Sequence, residues 1–206
     1  MITASGQIVN LLDPQPDTIL LEDIATHLSR IRRWVGAADI SVAAHSLLAT
    51  RLARANGEDP YSCLWTLLHD AHEAYTGDIS TPMKQVFNGP FGVPGFLLEI
   101  ERTLDIAIRQ SLGIEEWHTL EAVSAAEHYD ALAWQLERRV LLPDHKEFPK
   151  CYDDLPKELD SQVHLLSKVD VKDRFLTTYH YYRLMVVEQQ ETNDERYKVS
   201  KPVQAC

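Results

Sequence analysis

Thiol chemistry has little to work with in this chain. Its three cysteines, Cys63, Cys151 and Cys206, are odd in number, far apart and without a C-x-x-C spacing, which argues against a disulfide framework and a thiolate zinc site. Any metal would have to be held by imidazole and carboxylate. Positive charge is scarce too, with 20 Lys and Arg against 31 Asp and Glu and a formal net charge of -11. A polynucleotide partner needs a basic face to neutralise its phosphates, so none is expected. A small anion needs only two or three cations in one pocket. No apolar stretch approaches the roughly 20 residues of a membrane span. The opening "MITASGQIVN" lacks the basic region and apolar run of a signal peptide, so a soluble, cytoplasmic protein without a membrane partner is expected. Also missing are G-x-x-x-x-G-K-[ST], G-x-S-x-G and a dinucleotide fingerprint, so P-loop, serine-hydrolase and Rossmann readings lack their minimal parts.

What is present is apolar periodicity of the helical kind. The first residues, with "SG" and then "LLDPQPD", read as an extended or hairpin-like arm and a proline-rich turn. In "LLEDIATHLSRIRRWVG", Leu21, Ile24, Leu28, Ile31 and Val35 recur at helical spacing up to Gly36. A helix over roughly 41 to 56 is expected from Ser41 as N-cap and Asn56-Gly57 as the stop. Pro60 opens another, closed by Gly77 and apolar on nearly every side, the pattern of a central helix. A looser segment containing "STP" and "NGPFGVPG" reads as a loop over a site. Helical patterning resumes in "FLLEIERTLDIAIRQSLG", in "TLEAVSAAEHYDALAWQLERRVLL" and from about Leu155 to Gln190. With 45% hydrophobic residues the chain can build one core. The expectation is an all-α, irregular bundle in a single domain over 1–190, a short N-terminal extended arm, and a flexible tail over 191–206.

One stretch conflicts with this apolar patterning. In "LLHDAHEAYTGDIS", His69 and Asp70 follow two leucines that read as buried, and a carboxylate carried into such a setting costs several kcal/mol unless a cation or hydrogen bonds answer it. On a helix His69 and Asp70 diverge by about 100°, so they can meet one ion only if the helix turns its polar seam towards it. Two inward positions elsewhere can complete the set. His45 has Val42, Leu48 and Ala49 as helical neighbours, and Asp130 interrupts the stripe Val123, Ala126, Asp130, Ala133, Glu137. Two imidazoles and two carboxylates suit a divalent ion such as Zn, Mn, Co or Mg. Taken alone, an inward His is more often a satisfied core residue and an inward Asp a cap or ion-pair partner. H-D-x-x-E-x-x-x-x-D, with Glu73 and Asp78, is harder to reconcile with that reading.

His45, His69-Asp70 and Asp130 resemble the H…HD…D order of the HD-domain metal-dependent phosphohydrolases, and "HDAHEAYTGDISTPMK" is similar to a narrower group of bacterial 5'-deoxynucleotidases and phage-type deoxynucleoside triphosphohydrolases. "TASGQIVNLLDP…EDIATHLSRIRRWVG…SVAAHS" is similar to the phage-type members. The likeness spans about residues 1 to 140. It implies an HD-domain-like bundle, His45, His69, Asp70 and Asp130 as metal ligands, and Glu73 and Asp78 in the catalytic step. It also implies an Arg-aromatic pair before the first His that contacts phosphate and sugar. Phosphate-binding cations are sought among Arg30, Arg32, Arg33 and Lys84, with Arg33 and Lys84 preferred, and Trp34 is expected against deoxyribose or base. A helix-face carboxylate for Glu73 and a core aromatic for Trp34 stay open.

The leading expectation is hydrolysis of a deoxynucleoside triphosphate, dATP first, to deoxynucleoside and tripolyphosphate, in the host cytoplasm if the chain is phage-encoded. The alternative is 5'-deoxynucleotidase action on monophosphates, and a third class is a nucleotide-binding or assembly module with a silent site. A homo-oligomer is expected from the resemblance, with the C-terminal helix available to core or interface. His72, His118, His128 and His180 suggest no second site and read as surface or supporting residues.

Overall fold

The computed structural model describes residues 1–87, 95–114, 119–144, 155–166 and 170–200. Cys151, Cys206, His118 and most of "NGPFGVPG" lie outside the described residues. The chain is all-α. Its helices are α1 Leu21–Arg30, α2 Val42–Ala55, α3 Pro60–Leu68, α4 Glu73–Thr76, α5 Thr81–Phe87, α6 Phe96–Leu112, α7 Leu120–Leu141, α8 Asp160–Leu166 and α9 Val171–Ser200. No helix among the described residues is long and apolar enough to cross a membrane.

The extended arm forms as a tight hairpin-like turn. Ile2 bridges Ile8 in antiparallel fashion, and Thr3 N–H donates to Gln7 O at 2.9 Å. The arm is fastened by Asp23, whose two carboxylate oxygens accept from Ser5 N–H at 2.8 Å and Ser5 Oγ–H at 2.6 Å. His27 extends the link, since its Nε2 accepts Ala4 N–H at 3.1 Å and its Nδ1–H therefore donates to Ala74 O at 2.8 Å. The arm is thereby tied to α4.

At the centre α2, α3 and α7 pack against one another, with α9 laid over α1, α2 and α3. The sequence of α2 accounts for its place. Val42, Ala43, Ala44, Leu47, Leu48, Ala49, Leu52 and Ala53 leave almost no polar side, and all are buried. Each large aliphatic removed from water contributes about 1.5–3 kcal/mol. Ser46 and Thr50, also buried, satisfy their hydroxyls on the carbonyls of Val42 and Ser46. Ser41 caps the helix by accepting Ala44 N–H at 3.2 Å, and Asp59 caps α3 by accepting from Tyr61 and Ser62 N–H. Cys63 lies buried in α3, where burial pushes its thiol up to about 11, so it is an inert core group.

Several boundaries depart from the periodic reading. The first helix ends at Arg30 instead of Gly36 because Ile31 turns extended and Val42 N–H donates to Ile31 O, while Arg33 N–H donates to Ile40 O. Arg33 and Trp34 therefore sit on a turn. The expected helix from Pro60 to Thr76 breaks after Leu68, where Ala71 N–H donates to Leu68 O and Glu73 N–H to Asp70 O, tighter i to i+3 bonds. The segment read as a loop contains the short helix α5. The C-terminal stretch divides into a 3-10 turn at Lys157–Leu159, α8 and α9, and α9 continues through Ser200, past the point where a tail was expected to begin.

Candidate metal centre

Three backbone segments converge on one point. α2 supplies His45, the turn after α3 supplies His69 and Asp70, and α7 supplies Asp130. One ligand atom each from His45, His69 and Asp70 lie within 4.8 Å of one another, a triad that could hold a metal ion. Asp130 joins them, with Oδ1 2.9 Å from His45 Nε2 and 3.7 Å from His69 Nε2. Asp70 Oδ2 is 3.1 Å from His69 Nε2 and 3.8 Å from His45 Nε2. The tight turn after Leu68 lets two adjacent residues reach the same point, which a continuous helix would have splayed apart.

Both imidazoles are held from behind. His69 Nδ1–H donates to Thr66 O at 2.7 Å, and His45 Nδ1 lies 2.6 Å from Glu137 Oε1. Each of these bonds fixes a tautomer whose Nε2 faces the cluster, the arrangement by which outer partners orient metal-bound histidines. His69 Nε2 is buried and makes no directed hydrogen bond despite the nearby carboxylate, as a nitrogen kept for an ion would be. Nitrogen and carboxylate donors of this kind fit a borderline or hard divalent cation.

The electrostatics agree with that fit. Burial opposes charge on Asp70 and Asp130, but His69, His45 and, for Asp70, Arg33 outweigh it and hold both carboxyls well below their ordinary range. Burial likewise opposes an imidazolium, yet the acids win and both His45 and His69 are raised, His69 well above the usual value. Protons on the imidazoles thus compensate the acids where a cation could replace them.

Glu137 is the residue whose role periodicity did not reveal. It is fully buried, and its second oxygen accepts from Arg33 Nε–H and Trp34 Nε1–H, both at 3.0 Å. Arg33 also places a guanidinium nitrogen 3.6 Å from Asp70. One carboxylate therefore links a candidate ligand histidine to the Arg-aromatic pair. The available signal was position, since Glu137 lies two turns beyond Asp130 on the same stripe of α7. Trp134, one turn before Glu137, stacks on Trp34 with ring centres 5.5 Å apart. Among the three arginines, Arg33 is buried, whereas Arg32 pairs with Asp39 at the surface and Arg30 is exposed.

Glu73, Asp78 and Lys84 form a second side of the site. Glu73 is buried with Oε2 unpartnered. Burial first, then the negative Asp70 and Asp78, push its carboxyl up to about 9. Asp78 is raised too, chiefly by burial, although Arg33 opposes this. Lys84 Nζ lies 3.0 Å from Glu101 Oε1, and its charge also bears on Glu73 and Asp70. His72, read from sequence as a surface or supporting residue, is buried and has carboxylate partners, with Nδ1 3.1 Å from Asp105 and Nε2 3.9 Å from Glu101. His128 and His180 are exposed.

No family model matches the chain. An uncharacterized protein of Rhodobacter capsulatus is 39% identical over 116 residues, covering 53% of this chain and 56% of that protein. The uncharacterized protein YfdR of Escherichia coli K12 is 29% identical over 140 residues, covering 56% of this chain and 75% of its own length. The chain therefore spans just over half the length of the Rhodobacter relative.

Proposed function

We propose that this chain is a metal-dependent phosphohydrolase of the HD-domain class acting on deoxynucleoside triphosphates, with dATP the first substrate to try. The observation that carries the reading is the convergence of His45, His69 and Asp70 within 4.8 Å, in the order and with the adjacent pair that the resemblance requires. A divalent ion held by these residues and Asp130 would lower the pKa of water and polarise a phosphoryl oxygen. Glu73, buried with one oxygen unpartnered, would take the proton of the attacking water once a bound cation has stabilised its carboxylate, since the protonated form that burial favours in the metal-free protein cannot accept one. The water oxygen bonds to the α-phosphorus and the bond from that phosphorus to the 5' oxygen breaks. The 5' oxygen takes the proton on from Glu73 and leaves as the deoxynucleoside hydroxyl, and tripolyphosphate remains. The negative charge of Asp78 raises the proton affinity of Glu73, so the Glu73 carboxylate formed beside a bound cation is a stronger base. Arg33 and Lys84 bind phosphate oxygens, and Trp34 lies against the sugar.

Hydrolysis of deoxynucleoside monophosphates is the second reading, and one observation favours it. Arg33 already faces Glu137 and Lys84 already faces Glu101, so few cations are left for a long polyphosphate. Incubation with Co or Mn and either dATP or dAMP separates the two, since tripolyphosphate supports the first and orthophosphate alone the second. A silent binding module predicts metal uptake without turnover of either. Self-association is part of the same proposal, and sedimentation of the purified chain checks it.

A further inference from the structure

Beside the metal centre lies a cavity of about 310 Å³ whose wall includes His69 and Asp130. That size falls at the lower end of small-molecule sites, which run from about 300 to 1,000 Å³. Its floor is apolar, from Leu68, Ile108, Ile114, Val123 and Ala126. On one side the Arg109 guanidinium lies over the Trp65 ring, 5.6 Å from its centre, and a planar guanidinium backed by an indole makes a flat shelf. The polar remainder is Asp105 and Glu127. Asp105 accepts from His72 through Oδ1 and keeps Oδ2 as a further acceptor, while Glu127 lies exposed at the rim.

A phosphate chain is a poor occupant. Two carboxylates face one guanidinium, and Asp130 adds a third acid at the inner end. A flat, neutral ring carrying N–H donors is a good one, because it stacks on the shelf, covers the apolar floor and donates to the acids. We propose that this cavity seats the nucleobase of the substrate and selects bases that carry an amino group, adenine, guanine and cytosine, over thymine. The assignment rests on the phosphohydrolase reading for the presence of a nucleotide. It adds where the base goes and which bases fit, with the phosphates left to the Arg33 side.

Binding of free nucleosides tests it without requiring turnover. Manganese-loaded protein is titrated calorimetrically with deoxyadenosine, with thymidine and with inorganic tripolyphosphate. Deoxyadenosine should bind about tenfold more tightly than thymidine, since its amino group can donate to the acids that line the cavity and thymine carries no such group. Val123→Trp, which fills a partly exposed wall, should abolish deoxyadenosine binding and leave tripolyphosphate binding unchanged. Glu127→Gln, at an exposed position where folding is not at stake, should narrow the preference over thymidine. Unchanged deoxyadenosine binding in Val123→Trp overturns the assignment, as does loss of tripolyphosphate binding in its place. Equal binding of the two nucleosides by the unaltered protein removes the selectivity. Hydrolysis of dATP by a Val123→Trp protein with normal affinity sinks the cavity and spares the phosphohydrolase reading. Selective nucleoside binding without hydrolysis of any nucleotide does the reverse.

Discussion

The two sides of the site treat their carboxylates in opposite ways. Among the candidate ligands and their support, Asp70, Asp130 and Glu137 are all held below their ordinary range because each faces an imidazole, an arginine or both. On the other side Glu73 and Asp78 are both pushed upward, by burial and by the charge of Asp70, with Asp78 adding to the shift of Glu73. Counter-charge makes the difference. The first group has its cations built in and is preorganised to exchange protons for a metal, whereas the second is short of positive charge, so that the Glu73 carboxyl is favoured in its protonated form while no cation is bound. A cation arriving on the first side would release that proton and turn Glu73 into an acceptor.

Removing the contrast at its strongest point should have the largest effect. Asp70→Asn deletes one of the three converging donors, and metal affinity should fall by more than about 100-fold, beyond the loss seen for outer partners alone. Calorimetry with manganese reads this directly, and an unchanged affinity would place the ion elsewhere. The same titration run against pH sharpens the comparison. His45 and His69 are raised above the ordinary imidazole value, so the metal must displace protons and affinity must rise with pH. The stability that those imidazolium ions give the metal-free protein runs the opposite way. It is fully present below the unfolded pKa and is lost as pH climbs through the raised folded value.

Next in size is Glu137, which belongs to the charge-balanced side but also accepts from Arg33 and Trp34, the pair proposed to meet substrate. Glu137→Gln should lower metal affinity by about 10- to 100-fold, because His45 loses the charged partner that orients it. It should also alter the fluorescence of the stacked Trp34 and Trp134, which a purely local effect on His45 would leave alone. Arg33→Lys is the control, since it keeps a charge near Asp70 and loses the directed N–H to Glu137. Metal affinity in that variant should stay within a few-fold.

Glu73 tests the other side. Its folded pKa of about 9 stands above the ordinary 4.5, so the native state retains a proton that the unfolded chain has lost across this interval. The contribution of Glu73 to stability is present below pH 4.5 and declines as pH rises towards 9. Glu73→Gln removes the titration. In metal-free protein at pH 8 it should be the more stable form by about 1–3 kcal/mol, the scale of an unsatisfied buried polar group. With metal bound the gap should shrink, because a neighbouring cation favours the carboxylate. A variant equally stable at pH 5 and pH 8 relative to the parent would show that Glu73 is not held protonated.

The contrast in legibility follows a different line. His45 and Asp130 are readable because they lie on regular helices, where an inward polar residue breaks a 3.6-residue pattern, and Ser41 and Asn56 mark the helix of His45 by local capping chemistry, as Pro60 marks the start of the next one. Glu137 satisfied the same pattern, yet its partners are 92 and 104 residues away in sequence, and nothing local to α7 names them. The pair His69-Asp70 could be recognised, but the turn that makes them convergent could not, since apolar spacing alone continues the helix to Gly77. Arg33 and Trp34 were misplaced onto a helix for the same reason. The bond that ends α1 is Val42 N–H to Ile31 O, a contact between segments that no window along the chain contains.

That turn also holds the smallest and cleanest test. Trp34 and Val35 have φ of 58° and 54°, a left-handed conformation that costs about 1–2 kcal/mol per L-residue and is worst for a β-branched one. The two residues differ in what compensates them. Trp34 donates to Glu137 and stacks on Trp134, whereas Val35 is 81% exposed and gains little from burial. Val35→Gly should therefore stabilise the protein by up to about 1 kcal/mol, the relief of strain partly offset by the entropy of a freer unfolded chain. Metal affinity should not change, because no ligand or supporting hydrogen bond involves that side chain. Trp34→Gly relieves the same strain but removes an indole donor from a buried carboxylate, so it should destabilise. If both glycine variants moved stability in the same direction, the turn would be held by its backbone alone, and the anchoring of the Arg-aromatic pair through Glu137 would carry no weight.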